Sequence, residues 1–452
     1  MSSSQESDSL LNVSGQEDRE PSANGRNARQ NRSTRRNLIS FWILGLCNNF
    51  AYVIMLSAAK DILEKEHDGH PANSTSTCRE KIDDRHCQHL STGSVLLADI
   101  LPSLIVKITA PLFIHHIPFG TRHLLTVLLQ ASSFLLVACS DNVAEALTGV
   151  VFASLGSGLG EISYLALAAH YPGDVVGAWS SGTGGSGIFG ALVYATLTDS
   201  STFNLTPRST LMSMLIIPMI FCYTYWFLLR IPRSLHRVNI RDFRTYLVSH
   251  SVEEVEASDT GENGVLQDLS INRTRNRRRD PRVVKSLLKY IIPLVLVYFG
   301  EYFINQGLVE LLEFNCSYGF AMDAGSQYRW YQVLYQLGVF ISRSSSTVLT
   351  IPTAYFPLLA GLQLFNAVFF YLEAVYYFVP HISIIFAIIV YEGLLGGSAY
   401  VNTFNSIHRE IPTELKEYSM GVVSVSDSVG IVFAGFLAIP IHNYICSLPL
   451  HL

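Results

Sequence analysis

The sequence predicts an all-α, multi-pass membrane protein of about eleven transmembrane helices in two bundles, six followed by five, and three observations carry that expectation. Hydrophobic residues make up 49% of the 452 residues and charged residues only 15%, against roughly 25% charged in an ordinary soluble domain. Mean hydropathy is +0.29. Eleven apolar stretches approach the ~20 residues a helix needs to cross a bilayer core, and one long charged segment separates the sixth from the seventh. A soluble globule is excluded.

Taken in order, residues 1–37 are rich in Ser, Asn, Gln, Glu and Arg and lack an apolar core, so they predict a disordered tail and no cleavable signal peptide. Spans 1 to 6 fall at 38–58, 94–114, 123–141, 147–170, 176–198 and 209–230, giving a first bundle over 38–230. Residues 231–285 form a charged linker. Spans 7 to 11 follow at 286–311, 328–348, 354–378, 381–403 and 418–445, giving a second bundle over 286–446. Span 8 carries the weakest apolar signal.

Sidedness follows from Lys and Arg, which accumulate in cytoplasmic loops. Arg26, Arg29, Arg32, Arg35 and Arg36 lie in the tail, Arg233, Arg237, Arg241, Arg244 and the run Arg273 to Arg282 in the linker, and Arg122, Arg343, Arg409 and Lys416 in other even-numbered loops. The N-terminus is therefore predicted to be cytoplasmic and the C-terminus lumenal. Sequons at Asn73, Asn204 and Asn315 fall in loops assigned to the lumen, where glycosylation takes place; those at Asn12, Asn31 and Asn272 fall on the cytoplasmic side. Cys78 and Cys87 share the first lumenal loop and predict a disulfide in an oxidising compartment. The other cysteines read as packing residues.

Six spans, a long central loop and nearly six more is the layout of the major facilitator superfamily, whose two halves rock about a central site. Eleven spans with a large glycosylated first loop also resembles the equilibrative nucleoside transporters. In the facilitator layout spans 1, 4, 7 and 10 line the cavity, and the intramembrane polar residues sit on them. Span 1 carries Asn48 and Asn49, span 4 Glu161, span 7 Glu301 with Asn305 and Gln306, and span 10 Glu392 and Asn402. Tyr298, Glu301, Tyr302 and Asn305 share one helix face. A charge at a helix centre costs about 2.5 to 3.5 kcal/mol on insertion scales, so it persists where a partner or a wet path receives it. Each carboxylate can thus bind substrate or lock one helix to another.

Lys107 is the lone cation deep in the first bundle's spans, on span 2, with Asp99 two turns earlier. Two readings stand: an inter-bundle ion pair with Asp427 of span 11, or a point-charge ligand for phosphate. The run Ser180 to Gly187 lacks a nucleotide-loop pattern and lies inside span 5, so Gly182, Ser186 and Gly190 read as a close helix crossing. Neither nucleic acid nor a metal or other cofactor is expected, since His115-His116 has no companion ligand at metal spacing. No hydrolase constellation is present, and no enzyme is expected. In the tail, Glu6, Leu10 and Leu11 fit the acidic dileucine form that clathrin adaptors read.

Six segments carry a specific resemblance: Phe41 to Phe50 (FWILGLCNNF), Val95 to Pro102 (VLLADILP), Ser180 to Gly185 (SSGTGG), Glu301 to Leu308 (EYFINQGL), Gln327 to Gln332 (QYRWYQ) and Tyr391 to Gly397 (YEGLLGG). They closely resemble the battenin family, late endosomal and lysosomal membrane proteins tied to juvenile neuronal ceroid lipofuscinosis. The resemblance runs from about residue 38 to 446. It implies a facilitator-like fold and a need in clearing glycerophosphodiesters from lysosomes, with links to lysosomal pH, autophagy, basic amino-acid transport and trafficking. Mammalian members end in a prenylation box, whereas six residues follow Cys446 here, which departs from that pattern.

The expected function is export of glycerophosphodiesters such as glycerophosphocholine or glycerophosphoinositol across the lysosomal membrane, sensitive to lumenal pH. Lys107 would receive the phosphate, Asn48, Asn49, Asn305 and Gln306 the hydroxyls, and Glu161, Glu301 and Glu392 a cationic headgroup or a proton. Rival expectations are basic amino acids as substrate, a nucleoside-like facilitator, and a non-transporting trafficking scaffold. A closed core with every intramembrane charge paired favours the scaffold; a wet central cavity favours transport.

Overall fold

The computed structural model describes residues 23–64, 78–82, 85, 87, 91–110, 114, 117–168, 170–171, 174–199, 202–232, 281–345 and 350–449. The dileucine at Glu6, Leu10 and Leu11, the sequon at Asn73, His115-His116 and most of the linker lie outside these residues. The architecture is all-helical. Eleven long helical segments occur: α1 Ala23–Ser57, α2 Thr92–Thr109, α3 Phe119–Cys139, α4 Val143–Ala168, α5 Asp174–Thr198, α6 Pro207–Leu228, α7 Pro281–Phe303, α8 Ala324–Ser344, α9 Phe356–Tyr376, α10 Ile382–Glu410 and α11 Thr413–Ser447. They follow the predicted spans in order, but α1 begins at Ala23, within the tail expected to be disordered as far as residue 37.

Local chemistry sets several of their ends. Ser91 caps α2 by accepting from the Gly93 N–H, and Thr206 caps α6 with Pro207 at its first position. Asp323 caps α8 by accepting from Ser326, and His381 caps α10 by accepting from Ser383. Tyr377, in the left-handed region at φ 49°, ends α9, and the Glu373 carboxylate accepts from the next two amides, Phe378 and Val379.

Nine of the described helical segments are long and apolar enough to cross a membrane. α5 and α8 are long enough but more polar, and they pack against each other across the bundle boundary. That packing explains their composition. Protein interior, rather than lipid, surrounds their polar face, so Gly, Ser, Thr and Gln are tolerated there. The second cross-boundary pair is α2 with α11, as the facilitator layout predicts. Within the bundles α1 packs on α5, α3 on α4, α8 on α10 and α7 on α11.

Glycine sets the closest crossings. A Cβ on Gly182 would stand 2.0 Å from the Trp42 carbonyl oxygen, so α1 and α5 touch backbone to backbone. Gly338 and Gly393 do the same for α8 and α10, where a Cβ would meet the Val390 or Tyr335 carbonyl at 2.3 and 2.2 Å.

One expectation is corrected. Cys78 does not pair with Cys87; the disulfides are Cys78–Cys316 and Cys87–Cys446. The reason is packing between helices distant in sequence. Cys316 lies just past the end of α7 and Cys446 at the end of α11, and both helix ends reach the face on which the first loop sits. Neither cysteine is a packing residue as the sequence reading held, and Cys446 has no free thiol for a lipid. All four cysteines share one end, the end that the charge distribution assigns to the lumen and is here called lumenal.

Further contacts seat that loop on the second bundle. Arg85 donates to the carbonyls of Ala374, Val375 and Leu448 and lies over the Tyr377 ring, while the Cys316 N–H donates to the Arg79 carbonyl. Non-reducing peptide mapping is expected to recover Cys78 linked to Cys316 and Cys87 linked to Cys446. Recovery of a Cys78–Cys87 peptide would return the loop to the local pairing.

Candidate functional site

Most of the polar residues singled out from sequence fall into two groups, one bridging the bundles at Lys107 and one within the second bundle along α7. The first centres on Lys107, one turn from the end of α2. Its Nζ lies 2.8 Å from Glu161 Oε2 on α4 and 3.3 Å from Asp427 Oδ1 on α11, and donates to Ser428 Oγ at 3.0 Å. The Asp427 pair exists as one sequence reading held. Glu161, assigned to substrate, is the third member, so one cation serves two carboxylates from opposite bundles.

The second group lies along α7, where the helix loosens. Pro281–Phe303 passes into a π-turn over Ile304–Leu308 and a 3₁₀ turn over Val309–Leu311. A π-turn re-aims side chains that a regular helix would spread apart. Asn305 Nδ2 donates to Glu392 Oε1 on α10 at 2.8 Å and to the Glu301 carbonyl at 3.0 Å. Tyr335 of α8 donates its hydroxyl to Glu301 Oε1. Gln363 of α9 reaches Glu392 Oε1 at 3.4 Å. Gln306 accepts from the Tyr328 hydroxyl at 3.1 Å, and Gln332 donates to the Asn305 carbonyl at 3.1 Å. The Glu301 carboxyl is wedged against Gly396: a Cβ there would stand 2.3 Å from Oε2.

The network leaves polar atoms over. Glu301 Oε2, Glu392 Oε2, Asn305 Oδ1 and both oxygens of Asp99 are buried without a hydrogen-bond partner in the protein. Such groups are costly to bury. Tyr298 and Tyr302 stack at 6.1 Å beside Glu301.

Other residues singled out from sequence bond mostly to neighbouring backbone, although Asn48 Oδ1 is left buried without a partner. Asn48 is fully buried inside the first bundle, where its Nδ2 donates to the Ser157 carbonyl and its own carbonyl accepts from Gln130. Asn49 is half-buried and bonded to Asn48 and Ser157. Asn402 holds the chain between α8 and α9, accepting from the Ile351 N–H and donating to the Ser398 carbonyl. Of the predicted glycosylation sites, Asn204 is exposed and Asn315 half-buried.

Residues missed by the sequence reading complete the boundary. Gln332, Tyr335 and Gln363 left a detectable signal, being amides or hydroxyls inside spans. Arg343 was assigned to a cytoplasmic loop, yet it ends α8 and points inward. Its Nη1 donates to Thr183 of α5 at 3.1 Å, its Nη2 to the Tyr298 hydroxyl at 3.0 Å, and its carbon lies 4.2 Å from the centre of the Tyr400 ring. Glu310 crosses the boundary at the lumenal end: its oxygens accept from Ser91 Oγ at 2.6 Å and from the Thr92 N–H at 2.8 Å, the start of α2. Arg329 of α8 pairs with Asp61, beyond α1, at 3.3 Å. Among the described residues no group of three or more metal-ligating side chains occurs.

Comparison with known proteins fits this architecture. A sequence model described as CLN3 protein matches residues 39–448. Dog battenin is 44% identical over 421 residues, covering 91% of this chain and 92% of that protein. Protein btn-1 of Neurospora crassa is 36% identical, covering 90% and 88%. Among solved structures, a D-xylose-proton symporter aligns with TM-score 0.52 at 11% identity over 89% of both chains. An autoinhibited POT family peptide transporter aligns with TM-score 0.53 at 14% identity, covering 91% of this chain and 94% of that one. The fold is that of the major facilitator type, and the nucleoside-transporter layout is set aside.

Proposed function

The chain belongs to the CLN3 protein family, and from that premise we propose that it is a lysosomal and late endosomal transporter that exports glycerophosphodiesters, among them glycerophosphocholine and glycerophosphoinositol, to the cytosol in a pH-sensitive manner. One observation carries the reading: inside a fold of the facilitator type, Glu301 and Glu392 of the second bundle and Asp99 of α2 keep buried carboxylate oxygens without partners in the protein. A scaffold gains nothing from them. In a transporter they are the atoms that meet a substrate's hydroxyls, its cation or a proton.

The roles divide accordingly. Glu301 and Glu392 take the proton or the cationic headgroup, with Tyr298 and Tyr302 alongside, and Asn305, Gln306 and Asn49 meet hydroxyls. Lys107, already paired twice, links the bundles rather than waiting for phosphate. Outside the described residues, Glu6, Leu10 and Leu11 would engage clathrin adaptors. A second reading, export of basic amino acids, draws on the excess of carboxylates: among the described residues inside the spans, Asp99, Glu161, Glu301, Glu392 and Asp427 outnumber Lys107 and Arg343.

Purified protein in liposomes separates these readings. Saturable flux of labelled glycerophosphocholine and glycerophosphoinositol, changing with an imposed pH gradient, is expected. Flux of labelled arginine without either phosphodiester would move the substrate class, and flux of none would reject transport of these solutes. Glu301→Gln retains size and hydrogen bonding but cannot titrate, so it is expected to fold and to flatten the pH profile of flux. A profile matching that of the parent would leave Glu301 a structural hydrogen-bonding group.

A further inference from the structure

We propose that Arg343 is the residue that receives the substrate's oxyanion, an inference that rests on the transport reading above. Lys107 and Arg343 both lie at the bundle boundary, and they differ in what already surrounds them. Lys107 has three donors and meets two carboxylates and a serine hydroxyl. Its charge and its donors are both spent.

Arg343 is the opposite case. Its hydrogen-bond partners are the neutral hydroxyls of Thr183 and Tyr298, and its plane lies on the Tyr400 ring. Among the described residues no carboxylate comes within ion-pair distance of it. These contacts orient the guanidinium without neutralising it. Its Nε has no partner, and two further N–H groups remain from the five a guanidinium carries. A planar fork with unused donors matches the paired oxygens of a phosphodiester or a carboxylate, a geometry that a lysine cannot offer.

Position strengthens the assignment. The three contacts come from α5, α7 and α10, so the guanidinium sits where both bundles meet. Gly184 of α5 stands opposite its stem, where even a Cβ would come within 3.4 Å of the arginine Cβ and Cδ. The glycine lets the α5 backbone lie against the arginine stem, next to the Thr183 hydroxyl that holds the guanidinium. Tyr298, its hydroxyl partner, is one helical turn from Glu301, so an anion at Arg343 and a cation or proton at Glu301 would occupy neighbouring places. An oxyanion held here would touch helices of both bundles at once, as a rocking carrier requires.

The test is equilibrium binding to the purified full-length protein, with glycerophosphoinositol, glycerophosphocholine and arginine as probes. Arg343→Gln is expected to weaken binding of both phosphodiesters by roughly tenfold to a hundredfold, as losing a charge-assisted bidentate contact should. Arg343→Lys keeps the charge but not the fork and should fall between. Equal affinity in the parent and in a folded Arg343→Gln protein overturns the assignment; if that variant does not fold, unchanged affinity in Arg343→Lys overturns it instead. Parent protein that ignores phosphodiesters but binds arginine, with loss in Arg343→Gln, keeps Arg343 as the oxyanion receptor and rejects the phosphodiester reading. Parent protein that binds none of the probes rejects both.

Discussion

Lys107→Ala is expected to destabilise the folded protein by about 3 to 5 kcal/mol, the usual cost of removing one partner from a buried ion pair. The cause is charge left behind. Glu161 and Asp427 approach the same ammonium from opposite bundles, at 2.8 and 3.3 Å, and without it two carboxylates face one another in a poorly solvated place. Removing either carboxylate should cost less, because the lysine then keeps the other.

A two-member pair and this three-member cluster make different demands on the multiple variants. For a pair, Lys107→Ala with Asp427→Ala would restore most of the stability. Here that double variant still strands Glu161, so recovery is expected only when Glu161→Gln is added. Thermal unfolding of the single, double and triple variants in nanodiscs measures this. Full recovery in the Lys107→Ala, Asp427→Ala double variant would remove Glu161 from the cluster.

Much of this cluster was legible in the sequence, for a physical reason. Charges inside apolar spans are rare, so Lys107, Glu161, Asp427, Glu301 and Glu392 announce themselves, and helical spacing places Tyr298, Glu301 and Asn305 on one face. The helices were legible as well: nine of those described are long and apolar enough to cross a membrane, and apolar length is a property of local sequence. Pairing is not. Which carboxylate meets Lys107 depends on how α2, α4 and α11 pack, and the disulfides depend on which helix ends share a face. Proximity in the chain suggested Cys78 with Cys87, whereas the fold places Cys316 and Cys446 nearer.

Arg343 was misread because a basic residue at the end of a span has two meanings. Arginines outside a membrane mark topology, and arginines one turn inside can bend back into the protein; the sequence of α8 does not say which. Asn402 is the reverse case. An amide within a span suggests a cavity, yet its amide bonds the Ile351 N–H and the Ser398 carbonyl. The lumenal role of Glu310 had no sequence signal, since a carboxylate near a span end reads as a solvated loop residue.

That carboxylate underlies the second large effect. Glu310→Ala is expected to open the lumenal end at least about tenfold more often, because two hydrogen bonds to a charged group are lost, each worth about 1.5 to 3 kcal/mol. Glu310 sits past the π-turn of α7 and accepts from Ser91 and from the first amide of α2, whose helix N-terminus favours an anion. It therefore ties the second bundle to the first where they must separate for the lumenal side to open. Tyr52 of α1 packs against the second bundle's core just inside this latch, so a cysteine placed there reports its opening. In a background with Cys47, Cys139 and Cys222 changed to serine, Tyr52→Cys should react faster with a lumenal, membrane-impermeant maleimide when Glu310 is alanine. The disulfides Cys78–Cys316 and Cys87–Cys446 span the same boundary, and replacing those four cysteines by serine should add to the rate. Labelling of Tyr52→Cys that is no faster in Glu310→Ala, with the disulfides either present or removed, would show that this carboxylate caps α2 without holding the bundles together.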